Sequence, residues 1–271
     1  MSSTKSILIT GGGGGIGLEM ARLLASRERS LILVGRDAVR LQSAANELRA
    51  AHGAKVHVHS VDLSEPGAAH RLFEHTQEHG FHIDTLINNA GFGIVDAHVE
   101  IELSQIYRML QLNVVAVAEL CRCYGEIMKQ RRAGRILNVA STAAFQPTPY
   151  FAAYGASKAF VLNFSEALAK EMEDYGVTVS CLAPGPTDTA FFNNVDPQQI
   201  DGGHFFRKEG RSDPRKVAQA GVELMGRGGL TRVVGTANRL MILGNRLVPR
   251  TMVAAITKRM LRPAPVKSSM T

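Results

Sequence analysis

Ser6-Ile-Leu-Ile-Thr10-Gly11-Gly-Gly-Gly14-Gly15-Ile16-Gly17-Leu18 is the stretch that decides the fold. A short apolar run, strand-like in composition, feeds directly into a glycine run and then into a helix expected to continue to about Ser26. Glycines let the backbone turn sharply and come close to a pyrophosphate. The N-terminus of the following helix adds free N–H groups and the positive end of a dipole. Gly11, Gly14, Gly15, Ile16 and Gly17 are therefore candidate cofactor-binding residues. The alternative is a merely flexible glycine loop, and the strand before it and helix after it argue against that.

Outward from this turn, strand-like and helix-like segments alternate. Further strands are expected at 30–35, 55–62, 85–90, 135–141 and 177–183. Helices are expected at 38–51, 65–78, 104–129 (with Ser104 as N-cap) and 151–175. Buried apolar strands alternating with crossover helices imply an α/β fold: a single doubly wound Rossmann-type parallel sheet flanked by helices on both faces. No composition break divides it, so residues 1–235 form one domain. Within it, 189–210 is rich in Phe, Asn and Gly and lacks a clear period, as expected of a substrate lid. Asp213 and Pro214 then start a helix to about Met225, and 230–235 is a plausible last strand. Residues 236–271 form a basic helical extension, broken at Pro249.

The net charge of +7 belongs to the tail. From Leu224 to Thr271 there are nine Lys or Arg and no acid, which leaves −2 for the rest of the chain. A nucleic-acid surface would interleave aromatics with these cations, and the tail has none, so nucleic acid is not an expected partner. No run of about 18 apolar residues suggests a spanning helix. The first strand starts by about Ser6, so no leader is expected ahead of it. Three cysteines, Cys121, Cys123 and Cys181, lack metal or disulfide spacing and point to a cytoplasmic setting. His75 and His79 have metal-compatible helical spacing, but a solvated helix face explains them better.

The chemistry concentrates in 141–158. Tyr154 and Lys158 are one helical turn apart and share a face. A free phenol titrates near 10. An ammonium about 4 Å away contributes on the order of 4 kcal/mol at an effective dielectric of 20. That would bring the phenol roughly three pH units lower, into reach of neutral pH.

Six motifs in order carry a resemblance. They are Thr10-Gly-x-x-x-Gly15-x-Gly17, Asn88-Asn89-Ala90-Gly91 closing the fourth strand, and Asn113 in the long helix. Ser141 at the end of the fifth strand, Tyr154-x-x-x-Lys158, and Pro184-Gly185-Pro-Thr187-Asp-Thr189 complete the set. Together they resemble the short-chain dehydrogenase/reductase family, strongly from Ser6 to Thr189 and more loosely to Gly235. The resemblance implies Tyr154 as general acid–base and Lys158 as the group that tunes it and binds the nicotinamide ribose. It implies Ser141 as hydrogen-bond donor to the substrate oxygen, so that Ser141 and Tyr154 bind substrate. Asn113 would hold, through its backbone, a water that relays protons from Lys158. Asp62 and Leu63 would flank the adenine, and Asn89, Ala90 and Gly91 the adjoining ribose. Pro184, Gly185, Thr187 and Thr189 would meet the nicotinamide end.

The second strand ends Val34-Gly35-Arg36. An acid at that end reads the ribose hydroxyls of NAD, whereas an Arg accommodates the 2′-phosphate of NADP. Arg36 thus favours NADP(H) over NAD(H), with Asp37 expected to point away. The expected function is hydride transfer between NADP(H) and a carbonyl or secondary alcohol. Phe145, Tyr150, Phe151, Phe191, Phe192, Phe205 and Phe206 lean it toward a lipophilic ketone, aldehyde or hydroxy compound. The alternative is a nucleotide-sensing scaffold on the same fold. Relatives pair their long helices across a bundle, so a homodimer or homotetramer is expected, with Met109, Leu110 and Leu112 as core or interface. The basic tail is open to two readings: a cover over the substrate cleft, which is favoured, or an interfacial contact with anionic lipid.

Overall fold

The strands are built from runs that alternate between two cores. The computed structural model describes residues 5–192 and 210–262. Its strands are β1 (Lys5–Thr10), β2 (Ser30–Gly35), β3 (Lys55–Ser60), β4 (His82–Asn88), β5 (Gly134–Val139), β6 (Val177–Ala183) and β7 (Thr231–Val233). They form a seven-stranded sheet in the order β3-β2-β1-β4-β5-β6-β7, and every pairing is parallel. Successive side chains of a strand point to opposite faces. Leu8, Ile32, Val34, Leu86 and Ile136 therefore join one core, while Ile7, Ile9, Leu31, Leu33 and Leu137 join the other.

The first core is covered by α3 (Ala68–Glu78), α5 (Ala116–Arg131) and α6 (Ala152–Glu173). The second is covered by α1 (Gly15–Leu24), α2 (Ala38–His52) and α7 (Pro214–Gly226). This is the doubly wound Rossmann-type sheet that the alternation predicts. The strand order reverses between β1 and β4, so the loops leaving those two strands diverge and open a crevice at their carboxyl ends.

The fourth strand runs 82–88 rather than 85–90, and the helices depart from expectation for local reasons. The third helix begins at Ala68 rather than 65, because Gly67 at φ +73° stands before it as a left-handed break. The long helix begins as α4 (Leu103–Leu110) after Glu102, so Ser104 lies inside it and does not cap it. That helix is also not uniform: Gln111–Val115 is a π-helical turn joining α4 to α5, with the Ala116 amide donating to the Gln111 carbonyl. After β7 come α8 (Thr236–Asn245) and α9 (Arg250–Leu261). Most of the 189–210 stretch, including Phe205 and Phe206, lies outside the described residues. Among the described residues no helix is long and apolar enough to cross a membrane.

Candidate active site

A cleft of about 510 Å³ runs along the carboxyl ends of the strands. Its first part is the glycine turn. Gly11 takes φ +69°, in the region that favours glycine, with its amide donating to the Val34 carbonyl at 2.7 Å. A Cβ at Gly17 would run into the Gly11 carbonyl and come within 2.6 Å of Asn89 Nδ2, so α1 can pack this closely only through glycine. Gly14 precedes α1 without any side-chain cap, leaving the first N–H groups of the helix toward the cleft. Thr10 and Asn89 knit the two diverging loops together. Thr10 Oγ1 accepts from the amides of Asn89 and Ala90, both at 3.0 Å, and Asn89 Nδ2 donates to the Thr10 carbonyl at 3.0 Å.

At the end of β2 the cleft is lined by Arg36 and by a second arginine, Arg40. Asp37 is turned to another use. It caps α2, accepting from the Arg40 amide at 3.0 Å, and pairs with Arg40 Nε at 3.3 Å. Asp62 and Leu63 form the neighbouring wall. Asp62 accepts from the Ser64 amide (2.9 Å) and hydroxyl (2.6 Å) and is bridged to Arg108 at 2.6 Å. Burial pushes its carboxyl up, but the Ser64 hydrogen bonds and Arg108 outweigh that and hold it below the ordinary range.

The other end gathers the polar residues of 141–158. Ser141 ends the loop after β5, and its hydroxyl accepts from the Ala143 amide at 3.1 Å. Helix α6 carries Tyr154 and Lys158 inward, both buried. The Tyr154 ring stacks on Phe151 at 4.1 Å and meets Phe191 at 5.5 Å. Lys158 Nζ donates to the Val139 carbonyl at 2.9 Å and lies 5.8 Å from the centre of the Tyr154 ring. A Cβ on Gly91 would lie 3.2 Å from Lys158 Nζ and 3.0 Å from Asn113 Oδ1, which sets these three residues side by side. Asn113, wholly buried within the π-helical turn, donates to the Phe92 carbonyl (2.9 Å) and Ser157 Oγ (3.1 Å) and accepts from the Phe92 amide (3.2 Å).

One electrostatic expectation is overturned. Burial pushes the Tyr154 phenol up to about 12, eased only by its hydrogen bond with Ser141. Burial also drives the Lys158 ammonium down to about 8, opposed by nearby Cys181. The ammonium gives its hydrogen bond to Val139 and does not depress the phenol. Desolvation disfavours the charged form of each group and is the largest cause of both shifts.

Beyond β6, Pro184, Gly185, Thr187 and Thr189 line the cleft. Thr187 bridges to Ser212, and Thr189 leans against Gly15, near enough that a Cβ there would lie 3.0 Å from its methyl. Sequence reasoning did not identify the residues of the wall opposite. Met241 and Asn245 from α8, with Val253, Thr257, Met260 and Leu261 from α9, line the same cleft. Asn245 Nδ2 donates to Gln146 Oε1, and Thr257 Oγ1 donates to the Pro147 carbonyl at 2.9 Å. Asn238 fits against Gly185, where any Cβ would come within 2.5 Å of its amide nitrogen. Arg40 could have been found as the third residue after an Asp cap. The α8 and α9 contacts leave no local pattern in the sequence.

The cradle suits a dinucleotide. Backbone N–H groups at the start of α1, a turn in which Gly11 and Gly17 leave no room for a Cβ, and two arginines at one end face polar residues at the other. Comparisons with known proteins agree. The short chain dehydrogenase family model matches residues 5–200. The chain is 31% identical over 201 residues to 17-beta-hydroxysteroid dehydrogenase type 3 of Mus musculus, covering 72% of this chain and 65% of that protein. It is 32% identical over 181 residues to the ketoacyl reductase HetN of Nostoc sp., covering 67% and 63%. These matches thus span just under two thirds of those two relatives' lengths. Among solved structures, a short-chain dehydrogenase from Sphingobium yanoikuyae in complex with NADPH superposes with a TM-score of 0.78. It is 29% identical, with 90% of this chain and 93% of that one covered. A 7beta-hydroxysteroid dehydrogenase superposes at 0.83 with 25% identity, covering 93% and 96%. With its parallel sheet, glycine turn and ordered motifs, this chain belongs to the short-chain dehydrogenase family.

Proposed function

We propose that the protein is an NADP(H)-dependent oxidoreductase acting on a carbonyl or secondary alcohol of a lipophilic compound. One arrangement carries this reading: Arg36 and Arg40 stand at one end of a continuous cleft, and Ser141, Tyr154 and Lys158 stand at the other. Gly11, Gly14, Gly15, Ile16 and Gly17 hold the pyrophosphate, and the two guanidiniums chelate a 2′-phosphate. Asp62, Leu63, Asn89, Ala90 and Gly91 line the adenosine side; Pro184, Gly185, Thr187 and Thr189 line the nicotinamide side. When bound, the nicotinamide supplies or accepts the hydride.

The chain's own residues handle the proton. With its phenol held at about 12, Tyr154 is neutral at pH 7 and stands ready as an acid. It gives its proton to the substrate oxygen during reduction and recovers it during oxidation. The Ser141 hydroxyl hydrogen-bonds the same oxygen as charge develops on it. Lys158, side by side with Gly91 and Asn113, binds the nicotinamide ribose, and Asn113 holds the relaying water through its backbone. Residues 1–235 serve as the nucleotide-binding domain and 236–271 as its extension, of which α8 and α9 line the substrate end.

The substrate end is lined by Phe151, Phe191, Met241, Val253, Met260 and Leu261, which favours an apolar body next to the reacting oxygen. The two hydroxysteroid dehydrogenases that this chain resembles are named for substrates of that kind. A homodimer would use the α4–α6 face, where Leu103, Tyr107, Val115 and Phe160 are exposed. The free thiols of Cys121, Cys123 and Cys181 suit a cytoplasmic setting. The test is a panel of ketones, aldehydes and alcohols with NADPH and NADH, followed by nicotinamide absorbance. Turnover of bulky apolar carbonyls with NADPH supports the reading. NADPH bound but never oxidised would favour a nucleotide sensor.

A further inference from the structure

Helices α8 and α9 are apolar on two sides. Their inner side, with Met241, Ile242, Val253 and Leu261, packs onto the domain and the cleft. Their outer side carries Leu240 and Leu243 on α8, Leu247 in the turn between them, and Met252 and Ile256 on α9. These five are 68%, 55%, 88%, 55% and 51% exposed. The spacing is helical: Leu240, Leu243 and Leu247 fall at i, i+3 and i+7, and Met252 and Ile256 at i and i+4, so each set makes a stripe. Scattered apolar residues on a surface need no explanation, but two adjoining stripes on consecutive helices do.

The charges around the stripes are all of one sign. Arg239, Arg246, Arg250, Lys258, Arg259 and Arg262 lie within 236–262, a stretch with no Asp or Glu. Among the described residues no salt bridge engages any of the six. A second copy of this chain seated on the same face would set six cations against six cations. An anionic lipid surface meets both features at once, taking the leucines among its acyl chains and the cations at its headgroups. At 10 and 12 residues, the helices reach only about 15–18 Å at 1.5 Å per residue, too short to span a bilayer core of about 30 Å.

We propose that the outer face of α8 and α9 is an interfacial docking surface for anionic lipid, with the helices lying flat in the headgroup region. Ile256 belongs both to this face and to the lining of the cleft. Docking therefore places the mouth of the apolar cleft against the bilayer, where a lipophilic substrate would partition. That last consequence rests on the substrate reading above; the docking itself does not.

The experiment is co-sedimentation of the full-length protein with vesicles, kept separate from any activity assay. Mixed phosphatidylserine–phosphatidylcholine vesicles should bring down the wild type, and pure phosphatidylcholine vesicles should bind it roughly tenfold less tightly. Raising salt toward about 1 M, where the Debye length is about 3 Å, should release most of it. Two sets of variants that leave the cleft lining untouched, Leu240→Ser with Leu243→Ser and Arg246→Glu with Arg250→Glu, should each weaken binding about tenfold or more. Both should keep the wild-type melting temperature and NADPH affinity. Wild type that stays in solution, or that binds neutral and anionic vesicles alike, overturns the proposal. So does a leucine variant that binds vesicles normally but changes oligomeric state, which would assign the face to a protein partner.

Discussion

Replacing Lys158 by Met should make the ligand-free protein more stable while abolishing turnover, and the size of the gain should depend on pH. Burial holds the Lys158 ammonium at about 8, against 10.5 for the free side chain. The displacement is about 2.5 pH units, or about 3 kcal/mol at 1.36 kcal/mol per unit. Below pH 8 the group is charged in both folded and unfolded chains, and the folded state carries the whole burial penalty. Between 8 and 10.5 the folded chain releases its proton while the unfolded chain keeps it, so stability rises with pH across that window. Linkage then gives wild type a gain of about 1 kcal/mol from this group alone between pH 7 and pH 9, which the Lys158→Met variant cannot share. The variant's advantage should narrow by that amount. The lost bond to the Val139 carbonyl works against the variant at both pH values and leaves the difference between them unchanged. Urea denaturation of both proteins at pH 7 and pH 9 reads it directly. A stability gap that stays constant would mean that Lys158 titrates near 10.5, and the burial argument would fail.

Three further outcomes follow from the same geometry. Arg36→Asp should move the preference from NADPH toward NADH by about tenfold or more, equivalent to at least about 1.4 kcal/mol of discrimination, measured as the ratio of the two kcat/KM values. Arg40→Ala should weaken NADPH more than NADH; equal losses would place Arg40 outside the phosphate site. Gly17→Ala adds a methyl against the Gly11 carbonyl and Asn89. It should lose about 1–3 kcal/mol of stability together with NADPH affinity, read by denaturation and fluorescence titration, despite the better helix propensity of Ala. Because the Tyr154 phenol is held at about 12, alcohol oxidation should climb steadily from about pH 7 to 10 as its ionised fraction grows, while carbonyl reduction should not share that climb.

Much of the architecture was legible because the sheet is buried on both faces. Ser30–Gly35 carries an unbroken apolar run from Leu31 to Val34, and Val177–Ala183 is rich in β-branched and apolar residues, so their limits could be read residue by residue. The long helix looked uniform because periodicity is blind to a π-helical turn. That turn exists where Asn113 bonds to Phe92 and Ser157, residues 21 and 44 positions away. The task of Asp37 as the cap of α2 and its pairing with Arg40 depend on where that helix starts. The convergence of Ser141, Tyr154 and Lys158 was legible through ordered motifs. The protonation state was not, because burial of Tyr154 and Lys158 is a property of the folded pocket. The α8–α9 wall was the least legible part, since its contacts with Gln146 and Pro147 span 99 and 110 residues.

The central claim is that Tyr154 delivers the proton at a site that separately holds the cofactor. Tyr154→Phe removes one hydroxyl from a ring that remains stacked on Phe151. NADPH binding, followed by fluorescence titration, should stay within about threefold of wild type, a change below about 0.7 kcal/mol. Carbonyl-dependent NADPH oxidation by the same sample should fall by a factor of about 100 or more, the lower range for loss of a positioned proton donor. Retained turnover at near wild-type rate would contradict the account.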